Sequence, residues 1–484
     1  IDGGLGIDTV ANADFSQASH NLTIDDSDAA KSYSIPGGMS ISNVERFTNL
    51  TLGSGNDVVA YFRRINNTIK TGAGNDRINP GLGHDDVDGG EGLDSLSIDY
   101  SSIIPTDVTE GARGSVIRDD LGRYSGYYSA SPGNFVSFSN IEIFHVIGTG
   151  GDDRFGNAGG TDTIDGGPGI DTVYDADFSK STLGLKIDDS DSSKSISIVG
   201  GPSITNVERF TSLVLGSGED LVSYTRRIDN FIRTGGGSDL INAGLGVDIV
   251  WGGEGLDVLT VDYSSNTYAG LTPLAGLKSI LVSDDTGGFT GSYQAYYGDS
   301  YVTYDSVNYY TDHDIAAFYN IEQFHITGTF VADDILTGGG DDTIIAGAGD
   351  DTISSGAGDD ILVGGLGVDS LQGGTGVDHF IYNSASEGGD VITDFDGAVD
   401  SMIVSAAGFG GQLNVGMNIL TSGHYVENIT GLATSAAGVG QFIYQTNINQ
   451  LLWDGDGSAG LSATSLATFQ SPQAWSGSCI QVVA

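Results

Sequence analysis

Residues Thr337–Ile381 read TGGGDDTII AGAGDDTIS SGAGDDILV GGLGVDSLQ GGTGVDHFI, which is five nonapeptides without a break. An aspartate recurs every nine residues, at Asp342, Asp351, Asp360, Asp369 and Asp378. A glycine precedes each by two positions, at Gly340, Gly349, Gly358, Gly367 and Gly376. An apolar residue follows each by two, at Ile344, Ile353, Leu362, Leu371 and Phe380. The period therefore predicts one tight turn and one short strand in every nine residues.

The same register appears in three further blocks, residues 71–97, 148–174 and 234–260. Their aspartates are Asp76, Asp85, Asp94, Asp153, Asp162, Asp171, Asp239, Asp248 and Asp257. Their turn glycines include Gly74, Gly83, Gly92, Gly160, Gly169, Gly237, Gly246 and Gly255. Isolated copies surround Asp8, Asp57 and Asp220, and for the last two the sequence leaves open whether a partner turn exists.

The composition of each repeat indicates a hard-cation site. Glycine permits a positive φ and a tight turn, so that carbonyl oxygens converge on one point, where the aspartate adds an anionic oxygen. About six such oxygens suit Ca²⁺, whereas Mg²⁺ demands stricter octahedral geometry. Two periods are expected to form one coil of a parallel solenoid, with the apolar residue in the core and calcium ions stacked between coils.

The overall charge agrees with a metal-dependent fold. The chain of 484 residues has 64 acidic and 18 basic residues, a formal net charge of −46, and 76 glycines. Such a chain repels itself and loses much entropy on ordering, so we expect it to be largely disordered without a counter-ion. All Lys and Arg residues lie at or before Lys278. Nucleic acid is excluded as a partner, because phosphate contacts need a basic surface.

Other features bear on export. Cys479 is the sole cysteine, so no intrachain disulfide can form. No apolar stretch is long enough to span a membrane. The chain starts Ile1-Asp2-Gly3-Gly4 inside a repeat, with no Met or signal peptide, so we expect a piece of a longer protein or an export signal elsewhere.

Internal repeats divide the chain into a tandem pair of modules. GGxGIDTV, IDDSD, VERF, GGEGLD and DYSS each occur twice at an offset of 163, and NIExFH returns at an offset of 180. The second copy therefore carries an insertion, expected in its Tyr-rich stretch at residues 293–310. We predict a first module at 1–147 with an incomplete N-terminus, a second at 148–327, a repeat block at 328–382, and a capping and secretion region at 383–484.

The nonapeptides resemble the RTX, or haemolysin-type calcium-binding, repeat GGxGxDxUx. The resemblance implies an all-β fold, a right-handed parallel β-roll or β-helix solenoid with calcium-binding turns, here closed by a C-terminal β cap. It implies several Ca²⁺ ions, held by loop carbonyls and by repeat aspartates of adjacent coils. We carry that role over to Asp8 and to the aspartates and turn glycines of the four blocks. The string FVADD lacks the glycines, which puts Asp334 in doubt.

The C-terminal region resembles the end of proteins exported by type I secretion. The carrying segments are GGDVITDFDGAVDSMIV at residues 388–404 and LLWDGDGSAG at residues 451–460. In that family the export signal is C-terminal and uncleaved, which would explain an absent signal peptide. Short β-rich runs at residues 441–444 and 450–453 predict a closing sheet.

Several polar groups have two readings. The IDDSD aspartates (Asp25, Asp26, Asp28 and Asp188, Asp189, Asp191) form either a solvated turn or an extra calcium site. His145 and His325 are expected to be packed or capping rather than ligands. The repeated cations Arg63, Arg64, Lys70 and Arg226, Arg227, Arg233 either pair locally or form a contact stripe. The tyrosine clusters are either buried ladders or surfaces for sugar or another subunit.

No catalytic motif is found, so we expect no enzyme. The leading hypothesis is a secreted, cell-surface structural protein, such as a surface-layer, sheath or filament subunit, that self-associates into a lattice or filament and contacts cell-surface polysaccharide. One alternative is an adhesin segment that binds glycan or ice. The other is the RTX portion of a larger secreted enzyme or toxin.

Overall fold

A computed structural model describes residues 1–26, 32–34, 40–105, 107, 109–131, 133–156, 158–189, 196–197, 201–264, 273–283, 288–297, 301–304, 307–310, 313–457, 463–472, 475 and 479–484. The chain divides into two compact units, Ile1–Gly218 and Glu219–Ala484.

The repeat alternates strands between two parallel sheets, which confirms a coil of two nonapeptides. Thr343–Ala348 pairs in parallel with Ile361–Leu366, eighteen residues later in the same sheet. The intervening strand Thr352–Ala357 pairs in the other sheet with Ser370–Thr375. The apolar residues predicted to point inward are buried: Ile344, Ile353, Leu362, Leu371 and Phe380 are at most 1 % exposed. The nine-residue period thus yields an all-β solenoid.

Among the residues described in the first unit, strands pair in parallel except for two short pairs and the antiparallel run of Arg113–Arg118, Tyr124–Ala130 and Asn134–Ile141. Its first sheet runs, in order of pairing, through Ala13–Asp14, Asn49–Thr51, Thr68–Ala73, His84–Glu91, Asn134–Ile141, Tyr124–Ala130, Arg113–Arg118, Arg154–Phe155, Thr172–Asp177 and Arg209–Val214. Its second sheet runs through Thr23–Asp25, Val58–Ala60, Arg77–Asn79, Ser95–Asp99, Ile143–Ile147, Thr163–Asp165, Ser203–Thr205 and Ile196–Ser197. The remaining strands are Thr9–Val10, Arg46–Phe47, Ser32–Ser34, Ser40–Ser42 and Lys186–Asp188.

The second unit has the same arrangement and adds a cap. Its first sheet runs through Phe231–Gly236, Val247–Glu254, His313–Ile321, Phe289–Tyr297, Pro273–Ser283, Asp334–Gly339, Thr352–Ala357, Ser370–Thr375, Asp390–Ile392, Thr464–Phe469, Gln450–Asp454, Gln441–Gln445 and Tyr425–Asn428. Its second sheet runs through Leu221–Ser223, Leu240–Asn242, Val258–Asp262, Gln323–Thr327, Thr343–Ala348, Ile361–Leu366, His379–Tyr382, Ser401–Ser405 and Ile480–Val483.

Both predicted copies contain the same kind of hairpin. Each inserts an antiparallel hairpin into the first sheet, Arg113–Arg118 with Tyr124–Ala130 and Pro273–Ser283 with Phe289–Tyr297. Each hairpin buries one tyrosine at 0 % exposure, Tyr128 or Tyr293. Both rings stack on a phenylalanine of the next strand. A further antiparallel pair, Tyr301–Tyr304 with Val307–Tyr310, lies in the stretch where the insertion was expected.

The cap closes the second unit with aromatic packing. Gln441–Gln445 and Gln450–Asp454 form an antiparallel hairpin, as their sequence predicted. Phe395, Phe469 and Trp475 pack with ring centroids 5.2–5.7 Å apart. The Cys479 thiol is buried at 1 % exposure and donates to the Gly397 carbonyl at 2.7 Å. The helical segments in the described part of the chain are the α-helices Ala406–Phe409 and Ile419–Ser422 and the 3₁₀ turn Ala385–Glu387. Among the described residues, no helix has the length and apolar character needed to cross a membrane.

Candidate metal centres

The predicted turn glycines share a positive φ, between 58° and 150°. All thirteen, Gly74, Gly83, Gly92, Gly160, Gly169, Gly237, Gly246, Gly255, Gly340, Gly349, Gly358, Gly367 and Gly376, have positive φ. Coils also approach closely here: a Cβ on Gly92 would lie 1.7 Å from the Gly74 carbonyl oxygen. Only glycine fits such a position, and its backbone carbonyls stack from coil to coil.

In the longest block the aspartates form two rows, which we call ladders, because the amide of each aspartate donates to the carboxylate of the aspartate one coil later. The Asp342 amide donates to Asp360 Oδ1 at 2.8 Å, and the Asp360 amide donates to Asp378 Oδ1 at 3.1 Å. In the other ladder the Asp351 amide donates to Asp369 Oδ1 at 2.9 Å. Each donor and acceptor are eighteen residues apart, so each ladder follows one row of turns. The predicted aspartates are thereby brought together coil by coil.

The shorter blocks contain the same ladders. Asp76 donates to Asp94, Asp153 to Asp171, and Asp239 to Asp257, at 2.7–3.0 Å. Asp57 and Asp220, the isolated copies, donate to Asp76 and Asp239 at 2.7 and 2.8 Å. Both therefore have a partner turn. Asp85 and Asp248 each accept from an asparagine instead, Asn67 and Asn230.

The second carboxylate oxygen of most ladder aspartates is buried and accepts no hydrogen bond. This holds for Oδ2 of Asp8, Asp57, Asp76, Asp94, Asp171, Asp239, Asp257, Asp342, Asp351, Asp360 and Asp369. Nearby hydroxyls do not serve them, because Thr71 and Thr337, for example, give their single proton to backbone carbonyls. A buried anionic oxygen without a partner costs several kcal/mol, so these oxygens fit a bound cation.

Burial shifts the acidity of these groups. Desolvation raises the pKa of Asp171, Asp248 and Asp342 to about 8. It raises the pKa of Asp94 and Asp257 to about 7, with neighbouring carboxylates adding to the shift. The protein alone therefore does not stabilise their charge, which a divalent cation would do.

Two predicted ligands have a different environment. Asp153 accepts hydrogen bonds on both oxygens, from Ala112 and from the amide and hydroxyl of Thr149. Asp162 likewise accepts from Phe144 on one oxygen and Gly159 on the other, at 2.8 and 2.9 Å. These carboxylates are already satisfied by the protein.

Several ladder members were not found from the sequence. Asp333, rather than Asp334, is the ladder residue before Asp351, and it is 2 % exposed. The Asp334 side chain is 57 % exposed and lies beside Lys278. Asp390 and Asp400 extend the ladders by accepting from Asp369 and Asp378. The nine-residue register counted back from Asp342 identifies Asp333. The spacings of 21 and 22 conceal the other two.

Four glutamates of the NVERF and NIExF strings also complete ladders. Glu45, Glu142, Glu208 and Glu322 accept from the amides of Asp8, Asp94, Asp171 and Asp257, respectively, at 2.5–2.8 Å. In each string the asparagine two positions earlier has φ of 49–53°, the role that glycine has in a repeat. These strings are therefore variant turns of the solenoid.

One aspartate of the first IDDSD string, Asp26, is buried and hydrogen-bonded. Asp26 is 1 % exposed and accepts from the amides of Phe62 and Arg63 at 2.9 and 3.1 Å. The Arg63 guanidinium lies 3.8 Å away, and the Arg227 guanidinium binds the Asp314 carboxylate, so two of the repeated arginines pair with carboxylates. Asp28 and Asp191 lie outside the described residues. His145 contacts the Thr163 hydroxyl at 2.7 Å.

A site of this kind does not depend on a side-chain cluster. Within the described ranges, no group of three or more His, Cys, Asp or Glu side chains is placed to hold a metal. The ladders instead offer one carboxylate per turn beside stacked glycine backbone. That donor set fits Ca²⁺, which accepts carboxylates and backbone carbonyls in flexible geometry.

Comparison with known families agrees with the geometry. A family model described as RTX calcium-binding nonapeptide repeat (4 copies) matches residues 65–96, 227–259, 327–362, 336–371 and 354–386. All of these matches fall on the aspartate ladders. No curated protein matches the chain.

Proposed function

Since the chain carries RTX calcium-binding repeats, which are typical of secreted proteins, we propose that it is an extracellular, non-catalytic structural subunit that folds when calcium binds. The observation that carries this proposal is the row of buried, unpartnered carboxylate oxygens on successive coils. Without cations, a chain of net charge −46 has to bury many of its carboxylates unpaired.

The calcium concentration would then determine whether the chain is unfolded or folded. Extracellular calcium modules bind with dissociation constants of about 10⁻⁴–10⁻³ M, so such sites fill outside the cell and stay empty in the cytosol. The empty chain would remain extended enough for export by type I secretion, which the resemblance of the C-terminal segments implies.

A calcium titration tests the folding step. In EGTA we expect far-ultraviolet circular dichroism to lose its β-sheet signal, and millimolar calcium to restore it. Magnesium at the same concentration serves as the control and should restore much less, because it resists carbonyl-rich coordination. A β-sheet signal that survives exhaustive chelation would refute calcium-dependent folding.

The structural role is supported by the tandem copies, which repeat the same strands, hairpin and ladders. Repetition of a scaffold suits a surface layer, sheath or filament. Electron microscopy of the purified chain in calcium should show ordered sheets or filaments. A monodisperse monomer at high concentration would contradict this role.

A glycan-binding role is the second candidate, and it rests on a cavity of about 560 Å³ in the first unit. Arg118, Tyr124, Glu142 and Lys180 line it, and the Arg118 guanidinium lies 5.6 Å from the centre of the Tyr124 ring. Arrays of acidic and neutral oligosaccharides would test it, with Lys180→Ala expected to weaken binding. Lys186→Ala, outside the cavity, is the control. Equal binding by both variants would contradict a glycan site here.

A further inference from the structure

The first sheet of the second unit presents apolar side chains to solvent. Phe231, Val247, Ile249, Trp251, Ile315 and Tyr319 point outward from three neighbouring strands, and we call them the apolar face. Phe231 lies opposite Ile249, Val247 opposite Ile315, and Trp251 opposite Tyr319. Val247 and Ile249 are 38 % exposed and Trp251 is 37 % exposed. Contiguous exposed apolar surface of this kind is typical of an interaction site.

The first copy carries polar side chains at no fewer than four of the six positions of this face. At an offset of 163, Phe231, Val247, Ile249 and Trp251 correspond to Thr68, His84, Asp86 and Asp88. The equivalent strands Thr68–Ala73 and His84–Glu91 pair in the same register. The same backbone positions therefore accept ordinary polar side chains, so the apolar face meets a requirement other than folding.

The stacking of the rings indicates what kind of partner fits. Trp251 and Tyr319 stack with centroids 4.2 Å apart and an interplanar angle of 18°. The Arg233 guanidinium lies 5.2 Å from the centre of the Trp251 ring. The Trp251 ring thus has a neighbour on each adjoining strand, Tyr319 on one and Arg233 on the other. A sugar needs an open ring face, so the apolar face suits a protein surface better.

The charge of the apolar face indicates which kind of protein could bind to it. In a chain of net charge −46, the exposed charges described on these three strands are Arg233 and, at the end of Val247–Glu254, Glu254. Asp248 and Asp314 point inward and are at most 1 % exposed. A basic partner would be drawn to the acidic surface elsewhere. A face with few carboxylates is what a partner as acidic as this chain requires, because opposed like charges would repel it.

The size of the face agrees with a modest self-contact. Across the intervening strand Phe289–Tyr297, Ile280, Val282 and Leu336, which are 61 %, 63 % and 37 % exposed, extend the face to six strands. The exposed ion pair Lys278–Asp334 lies on the last two of these strands. With strands ~4.8 Å apart and outward residues ~6.8 Å apart, it spans about 30 by 20 Å. Two such faces would bury about 1,200 Å², at the lower end for a specific interface.

We propose that the apolar face is the contact between two copies of this chain, paired face to face in an isologous interface. This proposal rests on the self-assembling structural role and names its contact surface. A contact of this size is weak alone, with a dissociation constant of about 10 μM to 1 mM, and gains strength where several contacts act together.

The test variant transfers the residues of the first copy into the second. Ile249→Asp with Trp251→Asp should fold, because Asp86 and Asp88 occupy the same positions in the first copy. In calcium, sedimentation velocity over a concentration series should show the wild type associating, and the variant dissociating at least about tenfold more readily. Thr352→Asp with Gln372→Asp, exposed on the same sheet outside the face, adds the same charge as a control and should associate like the wild type.

The outcomes separate this proposal from the broader one. If the variant folds by circular dichroism and associates like the wild type, the apolar face is not the contact, while a structural role elsewhere on the surface stands. If the control pair also blocks association, the effect is one of net charge, and the proposal is overturned. If the wild type stays monomeric throughout, the face-to-face contact and the self-assembling role both fail.

Discussion

At the scale of the residue, the two carboxylate oxygens of a ladder aspartate have different roles. Asp360 Oδ1 accepts the amide of the coil before it, and Oδ2 is buried without a donor. Sequence periodicity predicted the position of this aspartate, but not the difference between its oxygens, which depends on neighbouring coils. The same limit applies to Asp153, whose oxygens are satisfied by Thr149 and Ala112.

Asp360→Asn tests the second oxygen directly. The amide keeps Oδ1 as an acceptor and replaces Oδ2 with a donor that repels a cation. We expect calcium-bound stability to fall by about 2 kcal/mol, and the calcium midpoint of folding to rise. Asp359→Asn is the matched control, because Asp359 is exposed. Equal midpoints for both variants would show that Asp360 holds no calcium.

Asn320 provides a second test at this scale, because its φ is 49° without being glycine. Asn320→Ala should lower stability by about 1–2 kcal/mol, since alanine is strained in this region. Asn320→Gly loses the same side chain without the strain and should be closer to the wild type. Thermal melting in calcium distinguishes them, and a glycine variant as unstable as the alanine variant would place the cost in the side chain.

At the scale of the element, the sequence predicted strands wherever the nine-residue period is unbroken. The period ties each strand to the one eighteen residues later, so pairing follows from the spacing. The variant turns were not predicted as ladder members. Glu45 and Glu322 lie 37 and 65 residues from the amides they accept, because other chain segments intervene. Such partners depend on where the chain rejoins the sheet after an inserted segment, and local sequence spacing does not predict that position.

Glu322→Ala tests a variant turn. It removes the charged acceptor of the buried Asp257 amide, which should cost about 1–3 kcal/mol and lower the melting temperature. Glu254→Ala is the control, since Glu254 is exposed on the neighbouring coil. If both variants have the melting temperature of the wild type, Glu322 does not stabilise the ladder.

At the scale of the whole molecule, calcium blocks are distributed unevenly. The second unit contains the longest ladders, from Asp333 to Asp400. Stacked repeats gain stability from each neighbour, so a longer uninterrupted ladder should fold at lower calcium than shorter ones. Composition and spacing predicted calcium dependence for the chain, but could not rank its parts, because ladder length includes turns that break the register.

Two optical signals can separate the units. All three tryptophans, Trp251, Trp453 and Trp475, belong to the second unit, whereas far-ultraviolet circular dichroism reports both. In a calcium titration, we expect tryptophan fluorescence to change at a lower calcium concentration than circular dichroism. Coincident transitions would indicate that the two units fold as one cooperative block.

The buried thiol of Cys479 gives the chain a chemical reporter. An alkylating reagent can modify it only when the last strand leaves the sheet, and no other cysteine competes for the reagent. The rate of modification therefore measures how often the C-terminal end opens. Mass spectrometry can follow the addition of one group per molecule. Loss of this reactivity after calcium is added would mark the time at which the final strand joins the sheet.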